Sequence, residues 1–330
     1  MSSKATTEPV PLILAPKDVQ DLIRANQARD SSSLRILDAT WFMPNVQRNA
    51  QKEFESGPRI PNSSFWNVDK VATQKGEKDL NGNELNPLGL SHMMPTPETF
   101  ALAAGQHGIT PETHVIVYDT HGVFSSPRTA FTFHAFGHRA ISIINGGLPA
   151  WISNGYEVEN GSAHTIEPTK YPIPSIESTL IRSYDEMVAN ARMGARGQTV
   201  LDARPAGRFD GTSPEPRPGL SSGHIPNSTS LPATTLLQSN SSNSDVSFTT
   251  LKNQTDLWRT ISDSVGGMDE LDKLRQASSA GESAVTNTCG SGMTAAILWL
   301  GLYQLGIQSS IYDESWTGYA SRKESVIDKD

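Results

Sequence analysis

A chain of 330 residues with one cysteine, Cys289, cannot close an internal disulfide, which fits a reducing compartment. Positive charge is also in short supply: 27 Lys and Arg stand against 35 Asp and Glu, for a formal net charge of −8. Direct nucleic-acid binding is disfavoured by that balance, because phosphate contacts need a basic face. No apolar run is long enough to span a bilayer, so no membrane association is expected. Neither a His/Cys cluster at metal-ligand spacing nor a phosphate-binding glycine fingerprint is present, so no metal and no organic cofactor is implied. The N-terminal stretch MSSKATTEPVPLIL has no arginine, and one lysine against one glutamate. It reads as neither signal nor transit peptide. The expectation is the cytosol, with the mitochondrial matrix left open. The Asn-x-Ser/Thr triplets at Asn62, Asn227 and Asn240 are then chance occurrences rather than glycan sites.

The chain is built around Ser283 to Leu300, SAVTNTCGSGMTAAILWL. A β-branched run leads to Cys289, Gly290 and Gly292 allow a tight loop, and helix formers begin at Thr294. This predicts strand, loop and helix, with the thiol at the carboxyl end of the strand, where open α/β sheets bind ligands. Loop N–H groups can form a nest that favours thiolate, and the positive end of the next helix adds to it. The thiolate is the nucleophile. The competing reading is a small buried hydrophobe.

Length predicts two domains, and a repeat supports this. Ile36-Leu37-Asp38-Ala39 answers Val200-Leu201-Asp202-Ala203, and Ile60-Pro61-Asn62-Ser63 answers Ile225-Pro226-Asn227-Ser228. Val115 to Asp119 answers Ala284 to Thr288, and Ile143 to Gly147 with Trp151 answers Ile311 to Glu314 with Trp316. In each half, short β-rich runs alternate with helical patterns, which predicts an α/β fold with a mainly parallel sheet flanked by helices. The expected limits are a first domain over 10–158, a linker over 159–178 and a second domain over 179–325. Ser183 and Glu186 predict a capping box. Ser239 to Ser247 reads as a flexible polar insertion without chemistry. The first half's loop, Thr120 to Ser126, has no cysteine, so one catalytic centre is expected, in the second half.

The combination of LDATW, RIPNSSFWNVD, HMMP, SSPR, FGHR and NGG with LDAR, GRFDGTSPEPR, SGHIP, CGSG and YDESW resembles the two-domain rhodanese-like sulfurtransferases. CGSGMT resembles the loop of the 3-mercaptopyruvate sulfurtransferases rather than the basic loop of thiosulfate-preferring rhodaneses. The resemblance implies two tandem rhodanese-like domains. It also implies transfer of the sulfane sulfur of 3-mercaptopyruvate through a Cys289 persulfide to a thiol acceptor such as thioredoxin, with release of pyruvate. Thiosulfate would be a secondary donor. Carried over residue by residue, Ser291, His92 and Asp69 join Cys289 as the catalytic set, a relay that polarises the substrate carbonyl or supplies a proton. Arg208 and Arg217 would hold the substrate carboxylate. Gly290, Gly292, Met293 and Thr294 of the loop would line the substrate site, as would Trp41 and Phe124. Without the resemblance, His92 reads as a surface loop histidine, Asp69 as a helix or turn cap, and both arginines as solvated loop charges.

Departures from the family pattern are Met293 for valine, Glu314 for the glycine of YDGSW, Gly318-Tyr319 for Glu-Trp, and Asn67 for the first aspartate of FFDID. A phosphatase of the related cysteine-loop type is a poor fit, since its oxyanion-gripping arginine has no counterpart between Cys289 and Arg322. Two alternatives stay open: a thiosulfate-preferring rhodanese, and a relay that passes sulfur to a carrier protein for tRNA thiolation with little small-molecule turnover. A dead scaffold would need Cys289 buried and inert.

Overall fold

A computed structural model describes residues 10–28, 33–241 and 247–329. The first half forms β1 (Ile13–Leu14), β2 (Leu34–Asp38), β3 (Ser63–Phe65), β4 (His114–Tyr118) and β5 (Ile141–Ile144), in the sheet order β1-β5-β4-β2-β3. The second half repeats this with β6 (Ile181–Arg182), β7 (Thr199–Asp202) and β8 (Ser228–Ser230). An antiparallel hairpin, β9 (Leu237–Ser241) and β10 (Ser247–Leu251), comes next, followed by β11 (Val285–Thr288) and β12 (Ser309–Tyr312). The sheet order is β6-β12-β11-β7-β8. Every pairing within the two five-stranded sheets is parallel. Helices cover the faces, so the central strands are buried on both sides: Val115 to Tyr118 and Val285 to Thr288 are buried throughout.

Side-chain caps start several of the helices, from Asn49, Thr96, Ser183 and Asn253. Ser183 and Glu186 form both bonds of a capping box at Tyr184–Met193. The helices Ser126–Ala135 and Ala295–Gln304, each following a strand-end loop, pack against one another across the two halves. Phe131 meets Trp299 edge-on with ring centroids 5.3 Å apart. One hydrophobic cluster therefore runs through both halves, from Val117 and Phe131 to Trp299 and Ile311.

Strand register corrects two of the repeat pairings. Asp38 lies opposite Tyr118, and Asp202 lies opposite Thr288. Tyr118 thus matches Thr288, and Asp119, not Thr120, is the counterpart of Cys289. Likewise Ile143 matches Ile311, since each lies one residue back along the neighbouring strand. Leu148 N–H bonds the carbonyl of Asp119 as Trp316 N–H bonds that of Cys289. Trp316 accordingly answers Leu148, and Trp151 answers Tyr319.

A third correction concerns Ser239 to Ser247. Its ends belong to the β9–β10 hairpin, and 242–246 lie outside the described residues. Serine and asparagine have low strand propensity, yet the first half receives this hairpin. Thr249 N–H donates to His121 O at 3.0 Å, and Leu251 N–H to Asn145 Oδ1 at 2.8 Å. A Cβ on Gly122 would collide with the Thr249 backbone, so the close approach requires glycine there. The segment after Glu159 has neither helix nor strand until Ser178. It is bound to the first half by Arg59 on Gly161 O and Ser162 O, and by Thr169 on Ile109 O.

Candidate active site

Cys289 follows β11 directly, so the parallel sheet delivers its side chain to the carboxyl edge. The residue is 1 % exposed and belongs to the central hydrophobic cluster, yet polar groups also reach its sulfur. Gly292 N–H donates to Cys289 Sγ at 3.1 Å, and Ser315 Oγ accepts Cys289 N–H at 3.2 Å and lies 4.0 Å from the sulfur. Gly292 has φ +83°, and a Cβ there would press on Asp313 O and the Arg128 guanidinium. Of the other loop residues, Gly290, Ser291 and Thr294 are half-buried and Met293 is buried.

The first half displays the same device filled. Asp119 is wholly buried at the matching position. Its Oδ1 accepts the N–H groups of His121 and Gly122, each at 2.9 Å. Its Oδ2 accepts those of Phe124, Ser125 and Ser126 and the Ser126 hydroxyl, at 2.7–3.1 Å. Gly122 N–H on Asp119 repeats Gly292 N–H on Cys289, three residues along in each case. This strand–loop–helix geometry therefore presents an anion nest to the residue at the strand end.

Both candidate arginines reach the Cys289 loop. A Cβ built on Gly290 would lie 3.1 Å from Arg208 Nη2 and 3.8 Å from Arg217 Nη1. Their surroundings differ. Arg208 is engaged by buried Glu215 through Nε and Nη2. Arg217, half-buried, has no hydrogen-bond or ion-pair partner among the described residues, which leaves it free to meet an anion. Arg204 is structural: it pairs with Asp202 at 2.6 Å and Glu215 at 2.8 Å, under the ring of Trp316.

From the first half, His92 Nδ1 lies 2.7 Å from Asp69 Oδ1, and Trp41 Nε1 donates to Asp69 Oδ2 at 3.0 Å. The Trp41 ring meets His92 edge-on at 4.7 Å and stacks with Phe124 at 6.3 Å. These four candidates are thus one cluster. Burial pushes the Asp69 carboxyl up, but the hydrogen bond and charge of His92 together with the Trp41 N–H outweigh it, and the net direction is down. No hydrogen bond joins His92 to Ser291, and buried His92 Nε2 has no partner among the described residues. Of the expected relay, the structure forms the His92–Asp69 half.

The sequence reading assigned no role to Arg128 and Asp313, although both lie inside quoted motifs. Arg128 opens the helix Ser126–Ala135, and Asp313 follows β12. They form a buried ion pair of 2.6 Å between the two halves. Arg128 also donates to His92 O and, at 3.3 Å, to Gly292 O. Asp313 Oδ2 accepts Met94 N–H at 2.7 Å. The His92 segment, held at φ +61°, and the Cys289 loop are tied to the same guanidinium. Only an arginine in a run of small helix-start residues hinted at this. Among the described residues, no group of three or more His, Cys, Asp or Glu could hold a metal ion, and no helix is long and apolar enough to cross a membrane.

A parallel sheet with a cysteine nest at its strand end and arginines beside it defines a sulfur- or anion-handling class, and comparison narrows it. The rhodanese-like domain family matches residues 16–154. The probable 3-mercaptopyruvate sulfurtransferase of Schizosaccharomyces pombe is 35% identical over 289 residues, 87% of this chain and 86% of that protein. The thiosulfate sulfurtransferase of Gallus gallus is 30% identical over 315 residues, 94% of this chain and 93% of that one. The crystal structure of Tum1 protein from Saccharomyces cerevisiae superposes with a TM-score of 0.77 at 26% identity, covering 97% of this chain and 99% of that one. The chain belongs to the two-domain rhodanese-like sulfurtransferases of the 3-mercaptopyruvate type.

Proposed function

We propose that this chain moves the sulfane sulfur of 3-mercaptopyruvate to a thiol acceptor through a persulfide on Cys289. The observation that carries the reading is the sulfur of Cys289 on the Gly292 N–H, in a loop flanked by Arg208 and Arg217. Cys289 thiolate attacks the substrate sulfur and the S–S bond forms. The C–S bond breaks, its electron pair passes to carbon, and the pyruvate enolate takes up the proton that the substrate thiol gives up. Sulfur is oxidised to the sulfane level and carbon is reduced. An acceptor thiolate then attacks the outer sulfur and frees Cys289, so the two half-reactions follow ping-pong kinetics.

In this reading Arg217, with Arg208, holds the carboxylate, and Trp41 and Phe124 wall the substrate side. The His92–Asp69 pair, acting through Ser291, serves the carbonyl or the enolate proton. Gly290, Gly292, Met293 and Thr294 supply the cradle. The domain limits are 10–158 and 179–325, joined by 159–178. Thioredoxin or a sulfur-carrier protein is the acceptor, and the cytosol is the compartment, with the mitochondrial matrix as the alternative. Thiosulfate is a poorer donor, because Gly290 and Ser291 bring no charge to its dianion.

Intact-mass measurement after mixing with mercaptopyruvate tests this. One added sulfur mapping to Cys289, absent from Cys289→Ser, is expected together with pyruvate release. Pyruvate formation by Cys289→Ser at the wild-type rate would overturn it.

A further inference from the structure

The amide nest at Cys289 exists only if the loop peptides are turned one way, and the structure records what turns them. Three loop carbonyls are anchored. Cys289 O accepts Trp316 N–H at 2.9 Å. Gly290 O accepts both Thr317 N–H at 3.0 Å and Thr317 Oγ1–H at 2.5 Å. Gly292 O accepts Arg128 Nη1 at 3.3 Å. A trans peptide sends its N–H opposite to its C=O. Anchoring these carbonyls therefore directs the N–H groups of Gly290, Ser291 and Met293 the other way. None of the three has a partner among the described residues. The matching loop of the first half shows what such amides do when an anion is present, since five of them close on Asp119.

We infer that Arg128 and Thr317 are positioning residues that hold the Cys289 cradle open for the persulfide, and that the half without a cysteine thereby supplies part of the cradle through Arg128. Arg128 reaches the loop from the other sheet unit, fixed there by Asp313 and by the carbonyl of His92. Thr317 acts from the helix Ser315–Ala320 with a hydroxyl that valine lacks and serine keeps. Neither touches the sulfur; each acts through a peptide of the loop, Thr317 through the one that carries Ser291 N–H and Arg128 through the one that carries Met293 N–H. The persulfide part of this inference rests on the function proposed above.

Because Cys289 is the only cysteine, the pH dependence of iodoacetamide alkylation reads its thiolate directly and needs no sulfur donor. In Thr317→Val the alkylation profile moves to higher pH, so that below its midpoint the thiolate fraction falls about three- to tenfold. The persulfide fraction after mercaptopyruvate loading falls with it, kcat drops, and KM is unchanged because the arginines are untouched. Thr317→Ser restores all of these. Arg128→Met shifts the profile further, and Arg128→Lys does not rescue it fully, since one ammonium cannot reach three acceptors in a fixed fork. Should Arg128→Met fail to fold, the Thr317 pair decides. A wild-type alkylation profile in Thr317→Val overturns the inference. Wild-type protein that takes up no sulfur overturns the function reading instead, while the alkylation profiles still judge the cradle.

Discussion

Asp119→Asn is an informative perturbation, because it changes one atom in a fully buried nest. The wild-type carboxylate accepts six hydrogen bonds, two on Oδ1 and four on Oδ2. Asparagine keeps one acceptor. Its carbonyl takes the Oδ2 position, which satisfies the larger set, and its NH2 then faces the N–H groups of His121 and Gly122. Two charge-assisted bonds become donor–donor contacts. At about 1.5–3 kcal/mol each, the loss is about 3–6 kcal/mol, lessened by the relief of a buried charge to a net of about 3 kcal/mol. That is a large share of a typical stability of about 5–15 kcal/mol. Urea unfolding gives the total, and hydrogen exchange at His121 to Ser126 locates it. A midpoint within error of wild type, with exchange unchanged in the loop, would refute the view that this carboxylate holds the nest together.

Removing either arginine should separate binding from stability. Arg217→Ala, which breaks no recorded contact, raises the KM for mercaptopyruvate about ten- to hundredfold with an unchanged melting temperature. Arg208→Ala lowers the melting temperature as well, because Glu215 loses one of its two cations; equal stabilities would contradict this. Burial holds His107 and His114 at about 4 and His134 at about 3. Their stabilising effect is whole above 6.5 and is lost as pH falls toward those values. Burial raises Asp38 to about 6, so it opposes them with one proton between 3.8 and 6. Burial lowers His138 as well, so at least about two protons of net uptake on unfolding remain, and the melting temperature should fall from pH 6.5 to 5; a flat curve rejects this. Gly318→Ala should cost about 1–3 kcal/mol, since a Cβ there meets the Glu314 side chain. Adding Glu314→Gly should recover most of it in thermal melts, and additive losses would show that the two sites do not share the space.

That last pair explains two departures legible in the sequence but not interpretable there. Glu314 and Gly318 are one exchange: the side chain at 314 fills the volume that 318 vacates and pairs with Arg322. The central strands and Cys289 were readable because short apolar or β-branched runs, glycines and a helix start are local signals. The repeat was readable too, yet its register slipped by one at Asp119. Tyr118-Asp119 and Thr288-Cys289 share no chemistry, and only strand pairing aligns them. Arg128 and Asp313 stand 185 residues apart, and no periodicity links such partners. The hairpin was missed for a similar reason. Its serines and asparagines carry no strand signal, and the glycine that admits it is Gly122, in the other half.

The two halves put one fold device to opposite uses. At Asp119 the nest is saturated by an anion that belongs to the chain, and Thr249 of the hairpin covers the loop, with Val123 N–H on its hydroxyl at 3.2 Å. All the favourable electrostatics there is spent on the folded state. At Cys289 one amide touches the sulfur and those of Gly290, Ser291 and Met293 have no partner among the described residues, so an equivalent field is left for an anion that must arrive and leave. A nest with open donors is poorly held by its own contents, and its carbonyls must be fixed from outside. Trp316, Thr317 and Arg128 do that fixing. Because one of the three comes from the saturated half, the duplicated unit is more than a spacer: its rigidity, secured by Asp119, is transmitted through the helix Ser126–Ala135 to the loop that carries the thiol.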